Sequence, residues 1–260
     1  VDQRDNRSLL EHYAHGRNVL NMFCYTGGFS FYAMRGGANL VHSVDSSAKA
    51  IELTNKNIEL NFPGDPRHEA YAVDAFKFLD DIKDKYDLII LDPPAFAKHR
   101  DALRNALRGY TRLNALAFEQ IRPGGILFTF SCSQAVSKEQ FRLAVFTAAA
   151  QSGRSVRILH QLTQPTDHPV NIYHPEGEYL KGLVLYVEWG MRNEEWGMRN
   201  FCDKRGQNQV YLNYAELSKN HIAKQIILAI SELQLKYIVP EGGQIMLNRG
   251  VTDQREGTCG

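Results

Sequence analysis

The 260-residue sequence predicts a doubly wound α/β fold: a mostly parallel, seven-stranded sheet covered by helices on both faces, with its last strand antiparallel. Three observations lead there. From Asn18 to Glu188, short apolar runs alternate with longer helical patterns, as parallel pairing through right-handed crossovers requires. The runs end on polar residues at corresponding points, which is where such sheets gather ligands. The last two runs are joined by "TQPTDHPVNIYHPEGEYLKG" in place of a helix, and that implies a hairpin-like return.

The strands are read in order as "NVLNMFCY", "LVHSVD", "EAYAVD", "YDLIILD", "GILFTFS", "VRILHQL" and "GLVLYVE". Each is rich in β-branched, aromatic or leucine residues, and several are apolar throughout, as strands buried on both faces are. Helices are expected to begin near Gly28, Ser47, Ala75, Arg100 and Ser137. Residues 1–188 are thus one catalytic-type domain.

After Glu188 the character changes. "EWGMRNEEWGMRN" is a direct duplication, too few copies for a repeat architecture, and residues 189–200 are read as a linker. Residues 201–260 form a tail to which no chemistry is assigned. Within it, "YAELSKNHIAKQIILAISELQLKYI" spaces Leu217, Ile222, Ile226, Ile230 and Leu233 as an amphipathic helix does, until Pro240 and the Gly242–Gly243 pair break the pattern.

The whole-chain properties set limits. Thirty basic residues against 29 acidic ones give a net charge of +1, so a polyanion must be met by a local basic patch. Cys24, Cys132, Cys202 and Cys259 are scattered without a C-x-x-C pair, which argues against a zinc site or a disulfide framework and for a reduced, cytoplasmic setting. No run is long and apolar enough to span a membrane, and no leader pattern is visible. The start at Val1, in mid-pattern, reads as the edge of a fragment.

At the first strand's end, "NMFCYTGGFSFYA" places Gly27 and Gly28 where the chain turns into a helix, so that the backbone can approach a ligand closely. The spacing is not G-x-G-x-x-G, which points away from a pyrophosphate. Asp45 follows Gly27 by eighteen positions, about the separation at which an acid meets ribose hydroxyls. Asp74 is placed to accept from an adenine amino group. An adenosine carrying a sulfonium and an amino-acid tail, S-adenosylmethionine, fits these features; ordinary helix caps at both aspartates are the bland alternative.

"DLIILDPPAFAKHR" is the sharpest motif. Asp92 closes an apolar strand, and Pro93 and Pro94 make the loop leave at a fixed angle, with Phe96 available to stack on a planar base. Cys132, between Ser131 and Ser133, closes the strand expected to lie beside it. A thiolate there can add to carbon 6 of a pyrimidine and make carbon 5 nucleophilic, with Asp92 acting at the ring-nitrogen edge. A buried cysteine that merely packs is the competing reading.

In "HRDALRNALRGYTRLNALAFEQI", Arg100, Arg104, Arg108 and Arg112 recur every fourth residue, while Leu103, Leu107, Tyr110, Leu113 and Ala117 fall on the opposite side. With Lys98 and His99 just before it, this stripe is a place for phosphates flanking a target base, or simply a solvated face.

"VDQRDNR", "NMFCYTGGFSFYA", "LDPPAF", "SCSQ" and "DHPVNIYHPEGEYLKG" together resemble the bacterial large-subunit (23S) ribosomal RNA methyltransferases that make 5-methylcytosine. The resemblance runs from Val1 to about Glu188. It implies a Rossmann-like methyltransferase sheet, an upstream PUA domain and small linking domain outside this sequence, and an unstacked cytosine of 23S RNA as target. It further implies that Phe23, Tyr25, Thr26 and Gly27 line the methionine part of S-adenosylmethionine, that Gln3 and Arg4 border the cofactor, and that Cys132 is the nucleophile. Pro93, Pro94, Phe96, Lys98, Arg100 and Arg104 then face the RNA. Many related enzymes carry a second cysteine directly after the loop's prolines. Ala95 stands here instead, so product release needs water or another base. N-methylation of guanine or adenine by the Asp92 loop, and an inactive nucleoside-binding remnant, stay open on the residues alone. His168, His174 and Glu178 are read as part of a lid or structural loop and not as metal ligands.

Overall fold

The computed structural model describes residues 2–97, 100–190, 198–202, 208–213, 237–238 and 244–247. The chain divides into two compact units, Val1–Gly190 and Met191–Gly260.

In the first unit the strands are β1 (Asn18–Met22), β2 (Leu40–Asp45), β3 (His68–Ala72), β4 (Leu88–Leu91), β5 (Gly125–Ser131), β6 (Arg154–Leu162) and β7 (Lys181–Gly190). They form one sheet in the order β3-β2-β1-β4-β5-β7-β6. The first five are parallel, and β7 runs antiparallel between β5 and β6. This is the Rossmann-like methyltransferase sheet expected from the sequence. The helices are α1 (Arg4–Ala14), α2 (Gly28–Arg35), α3 (Ala48–Asn61), α4 (Ala75–Leu79), α5 (Leu103–Gln120) and α6 (Lys138–Ser152).

The two-residue side-chain period of a strand divides the core. On β4, Ile89 and Leu91 join Leu20, Leu127, Tyr110, Phe118 and Phe141 under α5 and α6. Leu88 and Ile90 face the other way and meet Val19, Val41, Phe128, Leu10, Phe29 and Met34 under α1 and α2. Burying each such side chain is worth roughly 1.5–3 kcal/mol, so the all-apolar β4 is tied to both layers at once. Its position, and that of the Asp92 loop it carries, is fixed accordingly.

Two local results differ from the sequence expectation, and one agrees with it. Helix α1 went unread because its buried side, Asn6, Leu10 and Ala14, opens with a polar residue. It lies so close to α2 that a Cβ on Gly36 would stand 2.4 Å from the Glu11 carbonyl. The predicted helix start at Arg100 is a 3-10 turn over Arg100–Ala102, and α5 proper begins at Leu103. Helix α6 carries the capping box that its sequence promised: the Ser137 side chain accepts from Gln140 N while the Gln140 side chain accepts from Ser137 N.

In the second unit, β8 (Met198–Cys202), β9 (Asn208–Asn213), β10 (Tyr237–Ile238) and β11 (Gln244–Leu247) form an antiparallel sheet in the order β10-β11-β9-β8. β7 continues to Gly190 and β8 starts at Met198, so strand occupies both ends of the duplicated stretch read as linker. Of the expected amphipathic helix, residues 214–236 lie outside the described residues, as do residues 239–243 with Pro240 and its glycines, and Tyr237–Ile238 pair as strand. No helix among the described residues is long and apolar enough to cross a membrane.

Candidate active site

Strand order reverses between β1, which leads outward to β2 and β3, and its other neighbour β4. At such a switch point the loops leaving the carboxyl ends separate and open a crevice. The loop after β1 forms one wall and the Asp92 loop the other.

Phe23 (φ 59°), Tyr25 (φ 50°) and Gly27 (φ 82°) all take left-handed backbone in the first loop. For the two non-glycine residues this costs of order 1–3 kcal/mol each unless the surroundings impose it. Here α3 imposes it. Thr54 Oγ1 donates to the Tyr25 carbonyl at 2.9 Å, Asn57 Nδ2 donates to the Thr26 carbonyl at 3.2 Å, and Cys24 N donates to the Val44 carbonyl at 3.0 Å. Cys24 itself is buried against Thr54, and that burial pushes its thiol up to about 11, which makes it an inert packing residue. Tyr25 is left standing out, 71% exposed.

Asp45 is oriented by its neighbours: Oδ2 accepts from Tyr25 N at 3.0 Å and Oδ1 from Ser47 N at 2.9 Å. Asp74 is exposed and N-caps α4, its Oδ1 accepting from Lys77 N at 3.1 Å. A helix cap does not use up a carboxylate's acceptor capacity. Asp45, Asp74 and Asp92 thus follow β2, β3 and β4 at one end of the sheet, and they suit a ligand that is cationic at sulfur and bears hydroxyl and amino donors.

Asp92 is half-buried beneath α1. Gln3 Nε2 donates to Asp92 Oδ1 at 3.1 Å, Asn6 Nδ2 donates to Gln3 Oε1 at 2.6 Å, and the same Nδ2 reaches the Thr163 carbonyl at 3.3 Å. Burial pushes the Asp92 carboxyl up to about 6, and the Gln3 hydrogen bond opposes that rise. Gln3 is therefore a buried neighbour of Asp92, whereas Arg4 is exposed and pairs with Asp167 at 3.1 Å.

Cys132 is half-buried at the tip of β5, its Sγ 3.9 Å from the Pro93 carbonyl. The serines on either side fix that tip. Ser131 Oγ donates to Tyr110 Oη at 2.9 Å, while Ser133 Oγ lies 3.1 Å from Tyr110 Oη and accepts from Ala97 N at 3.2 Å. The strand end is tied to α5 through the Tyr110 hydroxyl and to the Asp92 loop through Ser133 Oγ. Burial first, then the Asp92 carboxylate, raises the thiol's pKa; the Lys181 ammonium opposes them. Sequence reasoning missed Lys181, a lysine opening an apolar strand, although it sits inside a quoted motif. It is 5% exposed and donates to the Ser133 carbonyl at 2.5 Å.

Phe96 corrects an expectation. Its ring packs on Tyr110 with centroids 4.6 Å apart and so closely over Gly109 that a Cβ there would meet it at 3.0 Å. The ring anchors the loop to α5 instead of standing free for a base. Pro93 is buried and Pro94 is exposed. Arg104, Arg108 and Arg112 lie exposed along α5, with Arg112 over the Phe76 ring at 5.0 Å. Lys98 and His99 lie outside the described residues, and of Arg100 only the backbone is described. In the β6–β7 connection, His168 pairs with Asp167, His174 with Glu176, and Glu178 with Lys138.

A topological switch point, an acidic residue at or just after the end of each of three successive strands and a kinked glycine turn are features that suit a nucleoside sulfonium. Residues 1–183 match the model of the S-adenosylmethionine-dependent methyltransferase family, and the chain belongs to that family. Among its relatives is the ribosomal RNA large subunit methyltransferase I of Tolumonas auensis, 47% identical over 188 residues, which are 71% of this chain and 47% of the relative. The protein of the same name from Aeromonas hydrophila is 45% identical over the same shares. The chain spans about half the length of the curated relatives it matches. Among solved structures, the methyltransferase SMU.776 in complex with SAH aligns with a TM-score of 0.63 at 27% identity, covering 72% of this chain and 49% of that one. A SAM-dependent methyltransferase from Streptococcus mutans aligns with the same TM-score and coverage at 26% identity. S-adenosylmethionine is the cofactor, and the acidic tips and the 23–27 turn fit it.

Proposed function

We propose that this chain is the catalytic part of an enzyme that methylates large-subunit (23S) ribosomal RNA at carbon 5 of a cytosine, through a covalent bond between Cys132 and the base. The names of its relatives support the RNA substrate. The chemistry rests on one observation above all: Cys132 Sγ lies 3.9 Å from the carbonyl of Pro93, which brings the thiol of one strand tip to the loop that Asp92 opens, and the Asp92 carboxylate is among the groups that act on it.

In this reading residues 1–188 carry the reaction. Phe23, Tyr25, Thr26 and Gly27 hold the methionine part of the cofactor, Asp45 the ribose and Asp74 the adenine. S-adenosylmethionine, when bound, supplies an electrophilic methyl group. The protein's task is to make carbon 5 nucleophilic. The Cys132 thiolate adds to carbon 6 while Asp92, in its acid form, gives its proton to ring nitrogen 3; the displaced π pair then makes carbon 5 an enamine carbon. After carbon 5 has gained the methyl group, a base takes its proton. That C–H pair re-forms the ring double bond, the Sγ–C6 bond breaks, and Asp92 recovers its proton. An Asp92 carboxyl held near 6 suits both directions of transfer at neutral pH.

Arg104 and Arg108 are assigned to phosphates flanking an unstacked target. RNA contact is salt-sensitive, and the rest of the longer relatives' length is expected to add to it. The deciding experiment is mass spectrometry of ribosomal RNA treated with the wild type and with Cys132→Ala. The reading requires 5-methylcytidine from the first and none from the second; a methylated purine would refute it.

A further inference from the structure

We propose that Lys181 is the positioning residue of the Cys132 nucleophile: its ammonium, fastened at the tip of β5, favours the thiolate against the surroundings that oppose it. The proposal rests on the reading of Cys132 as nucleophile.

The geometry begins with the register. Lys181 pairs with Ser131 across the antiparallel β5–β7 ladder, the last pair of that ladder. Its Nζ donates to the Ser133 carbonyl at 2.5 Å, so the side chain reaches from the level of Ser131 to that of Ser133, the stretch of backbone that carries Cys132. The next pair is Phe130 with Gly182, where a Cβ would meet the Phe130 ring at 2.6 Å. Only glycine lets the two strands approach this way, and the approach sets the lysine's root.

Charge gives the arrangement its purpose. An ammonium 5% exposed is costly unless an anion compensates it. Among the described residues no carboxylate lies within ion-pair distance of it, and one neutral carbonyl does not balance a full charge. Burial accordingly depresses the Lys181 pKa to about 8, and Cys132 is the largest influence in the opposite direction. The groups acting on the thiol are Asp92 from the loop after β4, Asp2 ahead of α1, and Lys181 itself. Tyr110 and Tyr179 also feel it, while Glu178 and Lys138 act on the lysine. Lys181 is the only one of the named influences on Cys132 that favours the thiolate from another side chain.

The test is the rate of iodoacetamide alkylation against pH, followed at the Cys132 peptide by mass spectrometry so that the other three cysteines do not contribute. Lys181→Met is expected to move the midpoint to higher pH, and Lys181→Arg to keep it near the wild type. An unmoved midpoint in a Lys181→Met protein that still binds S-adenosylmethionine in calorimetry would overturn the proposal. Should that variant not fold, Lys181→Gln takes its place, keeping a donor without the charge. Failure of both to bind cofactor would show a structural pin and equally overturn it. Continued methylation by Cys132→Ala would sink the nucleophile reading and leave the alkylation shift standing; an absent shift with Cys132→Ala inactive would sink Lys181 alone.

Discussion

Gln3 and Asp92 lie 89 positions apart in sequence, yet the amide of the first donates to the carboxylate of the second at 3.1 Å. The N-terminal helix thereby governs the protonation of the residue that closes β4. Because this hydrogen bond opposes the rise caused by burial, Gln3→Leu is expected to carry the Asp92 carboxyl further above its value of about 6. Where Asp92 acts as the acid, the high-pH limb of methyl transfer moves to higher pH, which a rate–pH profile reads.

Asp92→Asn should separate stability from activity. Folding raises this carboxyl from 3.8 to about 6, so the folded protein keeps a proton that the unfolded chain releases. The resulting cost is absent below pH ~4 and complete above pH ~6. Denaturant melts at pH 8 should show the variant more stable by about 1–3 kcal/mol, with no gain at pH 4. Methyl transfer should drop by about 100-fold or more.

The opposite sign holds at the β2–β3 edge. Burial depresses His68 from 6.5 to about 4, and its Nε2 lies 2.8 Å from Ser43 Oγ. Its contribution is complete above pH ~6.5 and is lost as pH falls toward ~4, because the folded state resists the proton that the unfolded chain accepts. Thermal melts should fall across that window, and His68→Gln should flatten the fall by about 1–3 kcal/mol.

Gly27→Ala tests the cofactor turn. The residue has φ 82°, and an added Cβ would stand 2.8 Å from Thr54 Cγ2. Left-handed strain alone costs roughly 1–2 kcal/mol. Calorimetry should show weaker S-adenosylmethionine binding, partly restored by Thr54→Ser, which removes the clashing methyl.

Most of the fold was legible because the central strands β1, β4, β5 and β7 are largely apolar runs, while the edge strands β3 and β6 carry more polar residues and rest on their place in the alternation. Cys132 and Asp92 were legible together because both close such runs and the expected strand order makes them neighbours. What escaped depends on tertiary contact. Phe96 looks like a free stacking ring until Gly109 opens a seat for it on α5. Helix α1 hides behind the polar Asn6 on its buried side, and that residue turns out to hold Gln3. Lys181 reads as a surface charge at a strand start, because nothing local says that the strand is buried there. In the tail, a two-residue strand such as Tyr237–Ile238 carries too little pattern to be seen.

Charge on α5 gives a further expectation. Replacing Arg104 with Glu should weaken RNA binding across sequences and reduce the slope of log affinity against log salt by about one. An unchanged slope in filter binding would mean that the exposed arginine only solvates the helix.

The most direct test uses RNA containing 5-fluorocytosine, since fluorine at carbon 5 cannot leave as a proton does. Incubation with S-adenosylmethionine should yield a protein–RNA adduct stable to denaturation, and peptide mass spectrometry should place the nucleotide on Cys132. Methyl transfer with no adduct, or an adduct that survives in Cys132→Ala, would contradict the account.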